Sequence, residues 1–192
     1  MNNNYRLHKM TLILSSFINA RKKIWLLHIL VLAFSFSCLA QDETTEYDIK
    51  AAFIYKFTNY IDWGSQFQGN EFVIGVVGPS PVKDRLDEIA RTQTVNNKKI
   101  VVRQFKKLEE ITPCQMLFVS QDTPLHLKDI LAKITGKGTL IISEKEGYAA
   151  QGAHINFIVV DNKLRFEANL KAINAAGLKA SSQLLKLANI ID

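Results

Sequence analysis

Arg165, Glu167 and Asn169 alternate with Leu164, Phe166 and Ala168. Side chains alternate between the two faces of a strand, so this spacing sets three polar groups on one side and three apolar ones on the other. An arginine so placed can fork onto a carboxylate or phosphate, with the neighbouring glutamate holding it in position. A plain solvated face with an internal ion pair and a helix cap has the same pattern. Ser80 is a further polar candidate. It precedes Pro81 at the start of an expected helix, and helix N-termini attract anions. Among the aromatics, Phe53, Phe57, Tyr60 and Trp63 read first as core anchors along one helical stripe. Tyr55 points elsewhere on the wheel, and Tyr55 and Trp63 are the aromatic candidates for a partner contact.

Machinery for catalysis is sparse. His126 and His154 are the histidines after residue 40, too few for a His-rich metal site. Neither a HExxH helix nor a paired CxxC is present, and no Gly-x-Ser-x-Gly elbow supplies a nucleophile. Gly75-Val-Val-Gly78 lacks the spacing of a dinucleotide fingerprint and reads as a tight strand-to-helix turn. No metal or cofactor is expected, and an enzyme is the weakest of the functional readings.

Arg21, Lys22 and Lys23 are followed by residues 24–40, uncharged apart from His28, and then by Gln41-Asp42-Glu43. A basic head, an apolar stretch and small residues before a polar start make a secretory signal, with cleavage after Cys38-Leu39-Ala40. The apolar stretch falls short of the roughly 20 residues of a spanning helix. Two alternatives stay open: lipidation of Cys38, although Phe36 is bulky for such a site, and an uncleaved anchor. The expectation is a leader over 1–40 and a periplasmic domain over 41–192.

Removing the leader removes most of the charge. The whole chain is +6, but residues 1–40 hold five basic side chains and no acid, leaving 19 basic and 18 acidic residues. That near-neutral balance argues against a nucleic-acid partner. Lys98-Lys99 and Lys106-Lys107 read as the solvated ends of a strand. About 150 residues suffice for one core without metal or disulfide support. Cys114 is the one cysteine left, and its place before an apolar run predicts burial.

The remaining pattern is that of alternating elements. A helix is expected from 46 to about 62, capped by Thr44 or Thr45 and stopped at Gly64. Strands are expected at 72–77, 99–105, 115–120 and 139–143, with helices at 81–92, capped by Ser80, and at 125–134, broken by Gly136 and Gly138. Residues 155–160 and 164–168, joined by Asp161-Asn162-Lys163, predict an antiparallel hairpin. Asn169 and Ser181 or Ser182 cap two final helices. This predicts an α/β fold: a three-layer sandwich, its central sheet mostly parallel, with an antiparallel hairpin at one edge.

Phe53-Ile-Tyr-Lys-Phe57 ending in Trp63, Ile74-Gly-Val-Val-Gly78, Cys114 before its strand, Gly147-Tyr148-Ala-Ala-Gln-Gly152, Leu164-Arg-Phe-Glu-Ala-Asn169 and Ser181-Ser182-Gln-Leu-Leu185 together resemble the YfiR family of small periplasmic proteins. The resemblance spans nearly all of 46–190. It implies a non-enzymatic regulator that binds the extracytoplasmic region of a membrane signalling protein and represses it. That partner is a diguanylate cyclase in the family's best-known case, and the outcome is lower cyclic di-GMP and less biofilm. A histidine kinase or similar receptor is an alternative partner. Gly64 stands where the family usually has proline, Ala153 replaces the second glycine of a common pair, and the lone Cys114 rules against a disulfide switch. The competing expectation is a small-ligand module for a nucleotide or amino acid, with its pocket around Gly78, Ser80 and Ser120 and Arg165 joining it. Homodimer formation and the sign of regulation stay open.

Overall fold

Residues 37–64, 69–134 and 138–191 are described by a computed structural model, with side chains from Glu46 onward. Most of the expected leader, the side chain of Cys38 and Gly136 lie outside the described residues. Two units are distinguished, Met1–Thr45 and Glu46–Asp192, and the fold below is that of the second.

The chain runs α1 (Ser37–Phe57), β1 (Ile61–Asp62), β2 (Glu71–Val77), α2 (Val82–Thr92), β3 (Thr94–Val95), β4 (Lys98–Phe105), a 3-10 turn (Leu108–Glu110), β5 (Met116–Val119), α3 (Leu127–Ile134), β6 (Leu140–Ser143), β7 (Ile155–Val160), β8 (Lys163–Asn169), α4 (Leu170–Ala175), β9 (Lys179–Ala180), α5 (Ser182–Leu187) and β10 (Asn189–Ile191). Eight strands form one sheet in the order β10-β8-β7-β6-β5-β2-β4-β3, and β1 pairs with β9 in a separate two-stranded ribbon. Strands β4, β2, β5, β6 and β7 are mutually parallel, as the crossovers through α2 and α3 require.

Both faces of the central strands are covered, which is why β2, β5 and β6 are continuous apolar runs. On one face, Phe72, Ile74, Val76, Met116, Phe118 and Ile142 pack under α1, α2, α4 and α5. On the other, Val73, Val77, Leu117, Val119 and Ile141 pack under α3 through Leu127, Ile130 and Ile134. Three layers result. The α1 face is anchored to the hairpin by rings: Phe57 meets Phe166 edge-on at 5.2 Å and Phe157 at 6.1 Å. Such ring pairs add roughly 0.5–1.5 kcal/mol each beyond the area they bury.

Several expectations hold in detail. Asp161 and Asn162 both have positive φ, 50° and 56°, the two-residue turn that matches the twist of a hairpin. Asn169 Oδ1 accepts the Ala172 N–H at 2.8 Å, and Ser181 Oγ accepts that of Leu184 at 3.2 Å. Others need correcting. The first helix runs through Thr44 and Thr45, so neither caps it, and it ends at Phe57 rather than near 62, because β1 takes up Ile61 and Asp62. The antiparallel β7–β8 hairpin lies toward one edge of the sheet as expected, and the short β10 adds in parallel beyond β8, from Asn189↔Glu167 to Ile191↔Asn169.

Candidate functional site

Open α/β sheets bind ligands beyond the carboxyl ends of their strands, where the strand order reverses. Here that point lies between β2 and β5. It is filled. Gly78 has φ +83°, and a Cβ there would lie 2.7 Å from Thr123 Cβ. Ser120 is buried, and its hydroxyl donates to Pro79 O at 2.6 Å. Pro81, not Ser80, is the capping residue of α2, but Ser80 Oγ accepts the Val82 N–H at 3.3 Å and is committed to the start of that helix.

Further along the sheet the carboxyl ends open. Pairing of β6 with β7 stops at Ser143↔Asn156, while β7 runs on to Val160. A cleft of about 470 Å3 occupies the space past the end of β6, lined by Glu46, Lys50, Gln121, Glu144, Glu146, Gly147, residues 157–159, Leu164 and Glu167. Its floor on the α1 side is an ion cluster. Lys50 Nζ stands 2.6 Å from Glu144 Oε2 and 2.6 Å from Glu46 Oε1, and the Lys50 and Glu144 side chains are 6% and 1% exposed. Glu144 also accepts the Gln121 N–H at 3.3 Å. Burial works against the Lys50 charge, but the hydrogen bonds and charges of Glu144 and Glu46 outweigh it and hold the ammonium above the usual lysine range. Tyr47 lies under this cluster, its ring 4.6 Å from Lys50 Nζ. Burial first, and then the Glu144 charge, push its phenol up.

The opposite face carries a polar chain. Ser143 Oγ donates to Asn156 Oδ1 at 2.6 Å, and Asn156 Nδ2 donates to Glu167 Oε2 at 3.0 Å. Asn156 is fully buried, and this relay satisfies both ends of its amide where β6, β7 and β8 meet.

The residues singled out from sequence separate into distinct places. Arg165 and Glu167 share one face of β8, but Arg165 is exposed and Glu167 is held by Asn156, with no Arg165–Glu167 ion pair among the described residues. Asn169 is buried; beyond its cap, its amide donates to Ala149 O at 2.9 Å. Trp63 is 4% exposed, donates to Gln115 O at 3.1 Å and meets Phe72 edge-on, which places it in the core. Tyr55 lines a groove between α1 and α2 of about 570 Å3, and its hydroxyl donates to Gln93 Oε1 at 3.1 Å. Ser80 follows β2, and β8, which carries Arg165, lies four places from β2 in the sheet order. At about 4.8 Å between neighbouring strands, that separation is roughly 19 Å. Arg165 therefore cannot complete a pocket at Ser80.

Lys50 and Glu144 went unread in the sequence. A signal existed for the first: Lys50 sits on the buried helical row of Tyr47, Ala51 and Ile54, where a charge requires a partner. His154, immediately before β7, is buried, and its Nδ1 accepts the Ile141 N–H at 3.0 Å. Burial pulls its pKa down to about 4. Among the described residues no group of three His, Cys, Asp or Glu side chains is arranged to hold a metal ion.

Fold and cleft together define a small three-layer α/β domain with an acidic opening past one central strand. The chain belongs to the YfiR/HmsC-like family, which it matches over residues 47–189. That family is periplasmic, regulatory and non-catalytic, and it points to cyclic di-GMP signalling. No curated protein matches the chain.

Proposed function

We propose that the protein is an exported regulator that docks on the extracytoplasmic region of a membrane signalling protein, a diguanylate cyclase before a histidine kinase, and holds it in its repressed state. Family membership over 47–189 carries this reading. The exposed Arg165, on the same face of β8 as the cleft residue Glu167, supports it, as a side chain with a guanidinium to offer a carboxylate on the partner. Repression needs a difference in affinity: the bound form must prefer one of the receptor's two states. The test is a pull-down from membranes with the protein as the cell exports it, followed by cyclic di-GMP measurement in cells lacking the gene. Recovery of a signalling receptor and a rise in cyclic di-GMP are expected. Absence of any receptor, while control baits succeed, overturns the reading.

The cleft favours one second reading, a small-ligand module, because its volume of about 470 Å3 is within the range of ligand pockets. Its walls are acidic, so a cationic amino acid or amine suits it better than a nucleotide. At 100 times its dissociation constant such a ligand raises stability by about 2.7 kcal/mol, which a thermal shift panel resolves.

A further inference from the structure

Strand edges are normally blunted by shortness, charge, proline or bulges. The outer edges of this sheet obey: β3 has two residues and β10 three. The edge of β7 past Asn156 does not. Residues 155–160 read Ile-Asn-Phe-Ile-Val-Val, with no charge and no proline, and beyond Asn156 no strand lies beside them on the β6 side among the described residues. Asn169 N–H donates to His154 O, so the hydrogen-bonded pairs with β8 fall at 154, 156, 158 and 160. Val159 falls between them and aims its N–H and C=O away from β8, toward the cleft. Val159 is 60% exposed and Val160 is 39% exposed.

The cleft along this edge contains Glu46, Glu144, Glu146 and Glu167 against one cation, Lys50, which Glu46 and Glu144 already neutralise. We infer that this edge receives an extended, Lys- or Arg-rich segment of the partner, which adds as a strand beside β7 in the place β6 vacates. Main-chain bonds to Val159 supply the pairing. Alternate side chains of the added strand point to the two faces of the sheet, one row toward Glu46 and the other toward Glu167. A second copy of this chain is a poor occupant, since its own edge brings the same carboxylates.

This inference rests on the docking reading and names its chemistry. The probes are three labelled peptides: alternating Lys and Val, alternating Glu and Val, and the Lys peptide with alternate backbone nitrogens methylated. Anisotropy with the exported protein is expected to show binding of the first, none of the second, and about ten-fold weaker binding of the third, because methylation removes the pairing donors. Val159→Pro, at an exposed residue whose N–H does not serve the hairpin, is expected to weaken the Lys peptide by about ten-fold with the circular dichroism unchanged. Glu146→Gln with Glu167→Gln is expected to weaken it as well. Equal binding of the Lys and Glu peptides, binding of neither, self-association in place of peptide binding, or indifference to both methylation and Val159→Pro overturns the inference. Docking fails separately. If the unaltered protein recovers a receptor from membranes and Val159→Pro recovers it equally, the edge is refuted while docking stands; if the unaltered protein recovers none, docking itself is refuted.

Discussion

Two carboxyl ends of the same sheet have been put to opposite uses. Past β2 and β5, at the reversal of strand order, Thr123 fills the space over Gly78 and Ser120 bonds to Pro79, so the position that α/β architecture reserves for a ligand is solid. Past β6, the strand stops short of its neighbour and leaves a cleft floored by a buried ion pair. Topology alone nominates the first place. Strand length decides for the second.

The largest effect is expected at the floor of the open end. Lys50→Met strands the Glu144 carboxylate at 1% exposure and should cost about 3–5 kcal/mol in denaturant unfolding. Lys50→Met combined with Glu144→Leu should restore most of that loss. If the double variant is as unstable as the single one, the pair is not what supports the cleft.

His154 comes next. Its pKa is depressed to about 4 in the fold against the ordinary 6.5, so the neutral form belongs to the folded state. Its stabilisation is complete above pH 6.5 and lost as pH falls toward 4, about 3 kcal/mol in all at roughly 1.36 kcal/mol per unit. Unfolding free energy measured from pH 7 to 4 should decline over that window, and His154→Gln should flatten this part of the slope.

A glycine pair then contrasts the two ends. Gly78→Ala combines a positive φ with a clash on Thr123 and should cost about 2–3 kcal/mol. Gly147 has φ +76°, and the nearest atom to an added Cβ is 3.8 Å away. Gly147→Ala therefore carries only the backbone strain, about 1 kcal/mol. Equal melting temperatures for the two variants would mean that the switch point is not packed as described. The smallest change is expected from Arg165→Ala, because the side chain is exposed. Its stability should stay within about 0.5 kcal/mol of the unaltered protein. The effect should instead appear as weaker receptor recovery.

The central strands were legible because a doubly covered parallel strand is apolar throughout, and the hairpin because Asp161-Asn162 can adopt left-handed turns. β1, β3, β9 and β10 were not: two or three residues carry no periodicity, and β10 follows a helix without a break signal. The start of α1 was misplaced because two threonines mimic a cap that the longer helix does not use. At the site, alternation exposed Glu167 and Arg165 as polar residues of a strand. The Lys50–Glu144 pair joins residues 94 positions apart and becomes visible only when strand order brings β6 under α1. Asn156, the link from Ser143 to Glu167, lay inside a run that reads as apolar.

Cys114 offers a use of its own. It is the one thiol in residues 41–192, it is 5% exposed, and burial pushes its pKa up to about 12. That leaves about one thiolate in 10^5 at neutral pH. Alkylation is expected mainly when the packing around Cys114 opens. The rate of its modification therefore clocks how often the native assembly breathes, with no engineered label required.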